Sequence, residues 1–267
     1  MIRIELVKQL RRLRTWIAFA ILVGIPVIAA VANKLNPEGN GGDEGPPFAV
    51  ATTASGFNHA LASLGFQSVF FLVIVVALFA GESIAGEANW GTLRYLLVRP
   101  VARHRLLLTK LLVAFVFTTA ATFAVTISGL ASGVAFFGWE PLQGPLIFST
   151  PQGEALYGLT LSTLYVIGAM LPVLTFGVML STMTDIPAGA IGGAFSLSIV
   201  SQILDAITGL GPVRFALPTH YSSAWINLFF PLDDPFEMVR GTMLHFAYAA
   251  VFVGVALWWF RRKDVLS

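Results

Sequence analysis

Six long runs of apolar residues, almost free of charge, constrain this chain more than any motif in it. Residues 16–32 carry no charged side chain, and similar runs recur around 60–80, 106–137, 154–183, 187–206 and 241–260. A helix needs about 20 apolar residues to cross the hydrocarbon of a bilayer, and each run meets or approaches that length. Helical spans are favoured far over a barrel because the runs are continuous, whereas barrel strands alternate lipid-facing and lumen-facing residues. The composition agrees: 56% of residues are hydrophobic and 11% charged, against about 25% charged in soluble domains. The fold class is therefore an all-α integral membrane protein of six transmembrane helices, a single transmembrane domain over residues 1–267.

Charge sets the expected orientation. The chain has 16 Lys and Arg against 14 Asp and Glu, a net charge of only +2. A sequence pI near 9.1 is thus a matter of distribution, and no nucleic-acid partner is expected. Thirteen of the 16 basic residues fall in the N-terminal segment, in residues 81–110 and in the C-terminal tail, leaving Lys34, Arg214 and Arg240 on the other side. By the positive-inside rule both termini and the central charged stretch face the cytoplasm of a multi-pass protein of the cell membrane. An even number of spans is consistent. The absence of cysteine removes disulfide, thiolate and Cys-ligated metal chemistry together.

Along the chain, residues 1–14 place Ile2, Leu6, Leu10 and Leu13 on one stripe and Lys8, Arg11 and Arg12 opposite. Two readings stand: an amphipathic helix lying on anionic lipid, or a basic flank of the first span. Pro26 predicts a kink in that span. Ala30-Val31-Ala32 would suit signal-peptide cleavage, but the apolar run exceeds the usual length of about 7 to 15 residues. Residues 33–58 form a Gly-rich and Pro-rich outer loop. The pairs Gly129/Gly133 and Gly189/Gly193 have GxxxG spacing, which permits close helix packing within one bundle or between two copies. Thr150-Pro151 reads as a cap and first helical residue, and Gly168 and Pro172 loosen the fourth span.

The fifth span carries Phe195, Ser198, Ser201, Gln202 and Asp205 along one face. Such a stripe either lines a substrate path or packs helices through small hydroxyl residues. Asp205 is the sharper member, since ionisable groups near a span are costly. Residues 209–240 are too interrupted by proline to span and too apolar for a solvated loop, so re-entrant or interfacial helices are expected there. Asp234, Pro235 and Glu237 fit a capping box at the start of the sixth span.

Little chemistry fits these residues. No carboxylate or Arg lies at a span centre, where ion-coupled transporters place them. HExxH, GxSxG and Walker-type glycine-rich motifs are missing from the sequence, so no catalytic residue, no metal ligand and no cofactor site is assigned to this chain. His59, His220 and His245 are expected near outer ends, His104 inside.

What remains distinctive is the loop at residues 81–105. Glu87, Gly91, Thr92, Leu93, Leu96, Leu97, Arg99, Pro100 and Arg103 stand in the order E-x-x-x-G-T-L-x-x-L-L-x-R-P-x-x-R, followed by Lys110 at the head of a span. This resembles the cytoplasmic loop of ABC-2 type permeases, the membrane subunits of type V ABC exporters. The likeness extends to the basic N-terminal helix and the broken helices before the last span. Ala102 and Thr109 depart from the Ser and Gly common in that family.

The resemblance implies a coupling helix that docks on a separate ATP-binding subunit, with Glu87, Gly91, Thr92, Leu93, Arg94, Leu96, Leu97, Arg99, Pro100 and Arg103 as the coupling residues. It implies two copies of an ABC ATPase subunit, which bind ATP and Mg, and a second permease copy or a homologue, all among membrane lipids. The expected function is ATP-driven export of an apolar or amphipathic substrate, with Phe66, Phe70, Phe195, Ser198, Ser201, Gln202 and Asp205 as candidate path residues. A non-transporting scaffold coupled to an ATPase is the alternative, and an ion-coupled secondary transporter a third.

Overall fold

The computed structural model describes residues 2–35, 52–91, 102–144, 149–229 and 236–262. The chain is an all-α integral membrane protein, with six helices long and apolar enough to cross a membrane among the described residues. They are α2 (Leu13–Leu35), α4 (Phe71–Asn89), α5 (Arg103–Phe137), the pair α6 (Gln152–Ala169) and α7 (Leu171–Met183), α8 (Pro187–Ala206) and α9 (Glu237–Arg262). Two shorter helices complete the set: α1 (Ile2–Leu10) and α3 (Gly56–Val69). A two-residue antiparallel ladder, Leu142–Gln143 with Ser149–Thr150, closes one end.

Polar side chains explain where several helices begin, end and bend. The last carbonyls of α1 have no intrahelical donor; Thr15 Oγ1 donates to the Gln9 carbonyl at 2.8 Å and Trp16 Nε1 to the Leu10 carbonyl at 2.8 Å. Pro26 has no N–H to give the carbonyl four residues back. That carbonyl, of Leu22, instead accepts from Gln67 Nε2 of α3 at 3.1 Å. The Pro26 carbonyl accepts from His59 Nε2 at 3.0 Å, so α2 and α3 are stitched together at the proline site.

The expected second span over 60–80 is instead two helices. They break at Phe70 (φ −131, ψ −67), and the second runs to Asn89. Residues 81–89, expected in a loop, are therefore helical. The fourth span breaks likewise at Met170, where Pro172 opens α7. Pro151 occupies the cap position of α6 rather than its first turn, and Thr150 belongs to the short ladder. The fifth span matches its expected bounds, while the first, third and sixth extend to Leu13–Leu35, Arg103–Phe137 and Glu237–Arg262. Between α8 and α9 lie the 3₁₀ segments Thr208–Ala216 and Ala224–Leu228, the interrupted helices expected there. Asp234 and Pro235 lie outside the described residues. Glu237 accepts from Asn227 Nδ2 at 2.6 Å.

α4 is the centre of the bundle, packed against α5, α7 and α8. Its apolar window is 67% buried, against 22% for α8 and for α9. α2 and α3 pack on α5, and α9 on α7. The Gly129/Gly133 pair works inside one chain: a Cβ on Gly133 would stand 2.6 Å from the Gly56 carbonyl oxygen, so glycine lets α3 and α5 touch backbone to backbone. Gly189 has no neighbour within 4 Å of such a Cβ.

Candidate functional site

The densest charge in the described structure sits where α1, α2, α4 and α5 meet. Glu87, near the end of α4, accepts from Lys8 Nζ at 2.6 Å and lies 2.8 Å from Lys110 Nζ of α5. Lys110 also lies 3.5 Å from Glu5. About a turn and a half earlier on α4, Glu82 pairs with Arg12 at 3.1 Å and with Arg14. The Glu87 and Lys110 side chains are each only 4% exposed. Charges so withdrawn from water must be satisfied by one another, and Lys8 and Glu5 complete the set around this buried pair. The Glu82 pairs are more open, with both arginines at 30%, and are correspondingly weaker.

This arrangement revises two expectations. Part of the charge of the N-terminal segment is turned inward: Lys8 of α1 and Arg12 just after it reach α4, while Arg3 and Arg11 are exposed, as are Ile2, Ile4, Val7 and Leu10. In a protein whose surroundings are apolar, charge is directed to the interior and hydrocarbon to the outside. Glu87 does not face outward from a loop; it is buried in α4 and fastens α1 to α5. Its bearing on a docked partner would run through that cluster.

Gly91 has a local structural reason. It follows the last turn of α4 with φ +66 and donates its N–H to the Ala88 carbonyl at 2.9 Å. A left-handed residue after a helix end is where glycine is favoured, so Gly91 is the stop of α4. Trp90 beside it is 81% exposed. At the start of α5, Arg103 Nη1 donates to the carbonyls of Phe260 and Arg261 at 3.4 and 3.3 Å, capping the end of α9. Thr92, Leu93, Arg94, Leu96, Leu97, Arg99 and Pro100, the body of the sequence motif, lie outside the described residues.

The candidate path residues fall into three groups. Phe66 and Phe70 line an apolar cavity of about 520 Å³ between α2 and α3. Phe195 stacks edge-on against Phe70, with ring centroids 5.5 Å apart. Ser198 and Ser201 are buried and bonded: Ser198 Oγ accepts from Gln202 Nε2 at 3.0 Å, and Ser201 shares a bond with Thr219. Gln202 Nε2 also reaches the Val69 carbonyl at the α3–α4 break, at 3.4 Å. Asp205 sits against His220 Nδ1 at 2.5 Å and Arg214 Nε at 3.5 Å, holding the first 3₁₀ segment to the end of α8. The hydroxyl stripe thus joins elements together; Ser198 and Gln202 border a small space beside Ser68 and Thr219, while the aromatic pair Phe66 and Phe70 opens onto the larger cavity.

Sequence reading missed the partners of Glu87. The signal was there in part: two carboxylates, Glu82 and Glu87, in a helix-forming stretch beside a membrane need cations, and Lys8, Arg12 and Arg14 form the nearest basic cluster on the same side. Among the described residues, no group of three or more His, Asp or Glu could hold a metal ion.

These features define a multi-pass helical membrane protein with an ion-paired core at one end and a broken-helix region at the other. More particularly, the chain belongs to the family described as protein of unknown function (DUF2705), whose model matches residues 40–266. No curated protein matches the chain.

Proposed function

We propose that this chain is the membrane-spanning permease subunit of an ATP-driven exporter of the cell membrane, working with separate ATP-binding subunits at its cytoplasmic face. The observation that supports this reading most is the position of the ion cluster. The body of the ABC-2-like sequence lies between Gly91 and Arg103, and the described helices on either side of it are fastened. Glu87 ties the end of α4 to α1 and α5, and Arg103 ties the start of α5 to the end of α9. A force applied at these two helix ends would reach four helices at once. Two permease copies would pair around the path, with both termini cytoplasmic and the cargo apolar or amphipathic.

The test is reconstitution with the ATP-binding-cassette protein encoded nearest to this chain. The permease should stimulate that protein's ATP hydrolysis, and inside-out vesicles should take up amphipathic dye only with ATP. Arg94→Glu combined with Gly91→Trp should abolish the stimulation while the permease still inserts. Full stimulation by that variant, or dye uptake independent of ATP, would remove the proposal.

A further inference from the structure

The cavity between α2 and α3 has the makings of a ligand site that its apolar walls alone would not reveal. It measures about 520 Å³ and is lined by Ile25, Ala29, Phe66, Val69 and Phe70 among others, within the size range of small-molecule pockets. The polar group that matters in this lining is His59. Its ring is 2% exposed and held by the Phe137 ring at 5.5 Å.

Nε2 of His59 lies 3.0 Å from the Pro26 carbonyl oxygen. A carbonyl can only accept, so in the neutral ring Nε2 carries the proton and Nδ1 is a bare lone-pair acceptor. That Nδ1 is buried and has no hydrogen-bond partner. A buried acceptor left unpaired is destabilising and is rare in native structures unless something else occupies the site. Ser63, one turn further along α3 and also buried, is a second polar side chain in the lining, and Asn33 and Thr52 add two more. The mouth is apolar, with Phe66 61% exposed, so a molecule dissolved in the bilayer can enter sideways.

We propose that this cavity binds an amphipathic small molecule with an apolar body and one hydrogen-bond donor, a hydroxyl or N–H, directed at Nδ1 of His59. The inference rests on the transport reading for its meaning, since it gives the cargo a chemical class, but the binding itself needs no ATPase. A molecule lacking the donor leaves Nδ1 unpaired and loses the advantage. A polar, multiply charged molecule is excluded by the walls.

Photolabelling tests it with two diazirine probes of equal length, a long-chain alcohol and its methyl ether, on the purified full chain in nanodiscs, with labelled residues mapped by mass spectrometry. The alcohol should label the α2–α3 cavity at a concentration about three- to tenfold below that needed for the ether, the factor one net hydrogen bond supplies. In His59→Phe the two probes should converge. Phe66→Trp, at an exposed position and therefore tolerant, should fill the mouth and reduce labelling by both. Equal labelling by alcohol and ether in the unmodified protein, labelling outside the cavity, or a preserved contrast in His59→Phe overturns the proposal. No nucleotide or partner is present, so a negative result removes the cargo class and leaves ATP-driven transport standing. Loss of flux with labelling intact does the reverse.

Discussion

A single carboxylate shows how differently one residue type behaves at two positions a turn and a half apart on α4. Glu87 and Lys110 are both almost wholly withdrawn from solvent, whereas the cations around Glu82 keep nearly a third of their surface exposed. Replacing Glu87 leaves the buried Lys110 with only its longer 3.5 Å contact to Glu5, a larger loss than that of an exposed pair, which is worth about 1 kcal/mol or less. Glu87→Gln should therefore lower the thermal unfolding midpoint in detergent far more than Glu82→Gln does. Similar shifts in the two variants would show that the Glu87 cluster is solvated. The sequence made Glu87 visible as part of a motif, but its partners lie at positions 8 and 110, on other helices. Only packing brings them together, and no local pattern announces it.

At the scale of elements, spans were legible, and so were the interruptions that proline marks, as at Pro172; the break at Phe70 was not. Length and apolarity are summed over many residues, so α2, α5, α8 and α9 could be read from the chain. The break at Phe70 has no glycine or proline to signal it; the Val69 carbonyl finds its donor in Gln202, far along the chain. Pro26 is the opposite case, a visible breaker whose repair was hidden. Gln67→Leu should leave the Leu22 carbonyl without its side-chain donor and cost about 1 kcal/mol, the scale of interhelical hydrogen bonds in membranes. Pro26→Ala restores a backbone N–H to that carbonyl, so adding it to Gln67→Leu should recover most of the loss. Additive destabilisation in the double variant, measured by denaturation in mixed micelles, would contradict this account.

For the whole molecule, the bias of basic residues and the structure agree on one relation: the start of α5 and the end of α9 lie at the same end of the bundle, joined through Arg103. The sequence contains no cysteine, so single cysteines report topology without a background. Trp90→Cys and Thr53→Cys should label with membrane-impermeant maleimide from opposite sides of intact cells, Thr53→Cys from outside and Trp90→Cys only after permeabilisation. The reversed pattern would invert the orientation on which the proposed docking depends, and labelling of both from one side would show that no span separates them.

The central place of α4 also dictates an order of assembly. Ser181 of α7 accepts from the backbone N–H groups of Ile84 and Ala85, across separations of 97 and 96 residues, and Ile191 of α8 stands where any side chain on Gly81 would go. Those partners are synthesised long after α4 has left the ribosome. During that interval the first half of the chain resides in the bilayer with its most buried helix uncovered, its seat for α7 and α8 filled by lipid. Biogenesis of this protein is thus a matter of exchange, with later helices displacing lipid from a surface made ready before they exist.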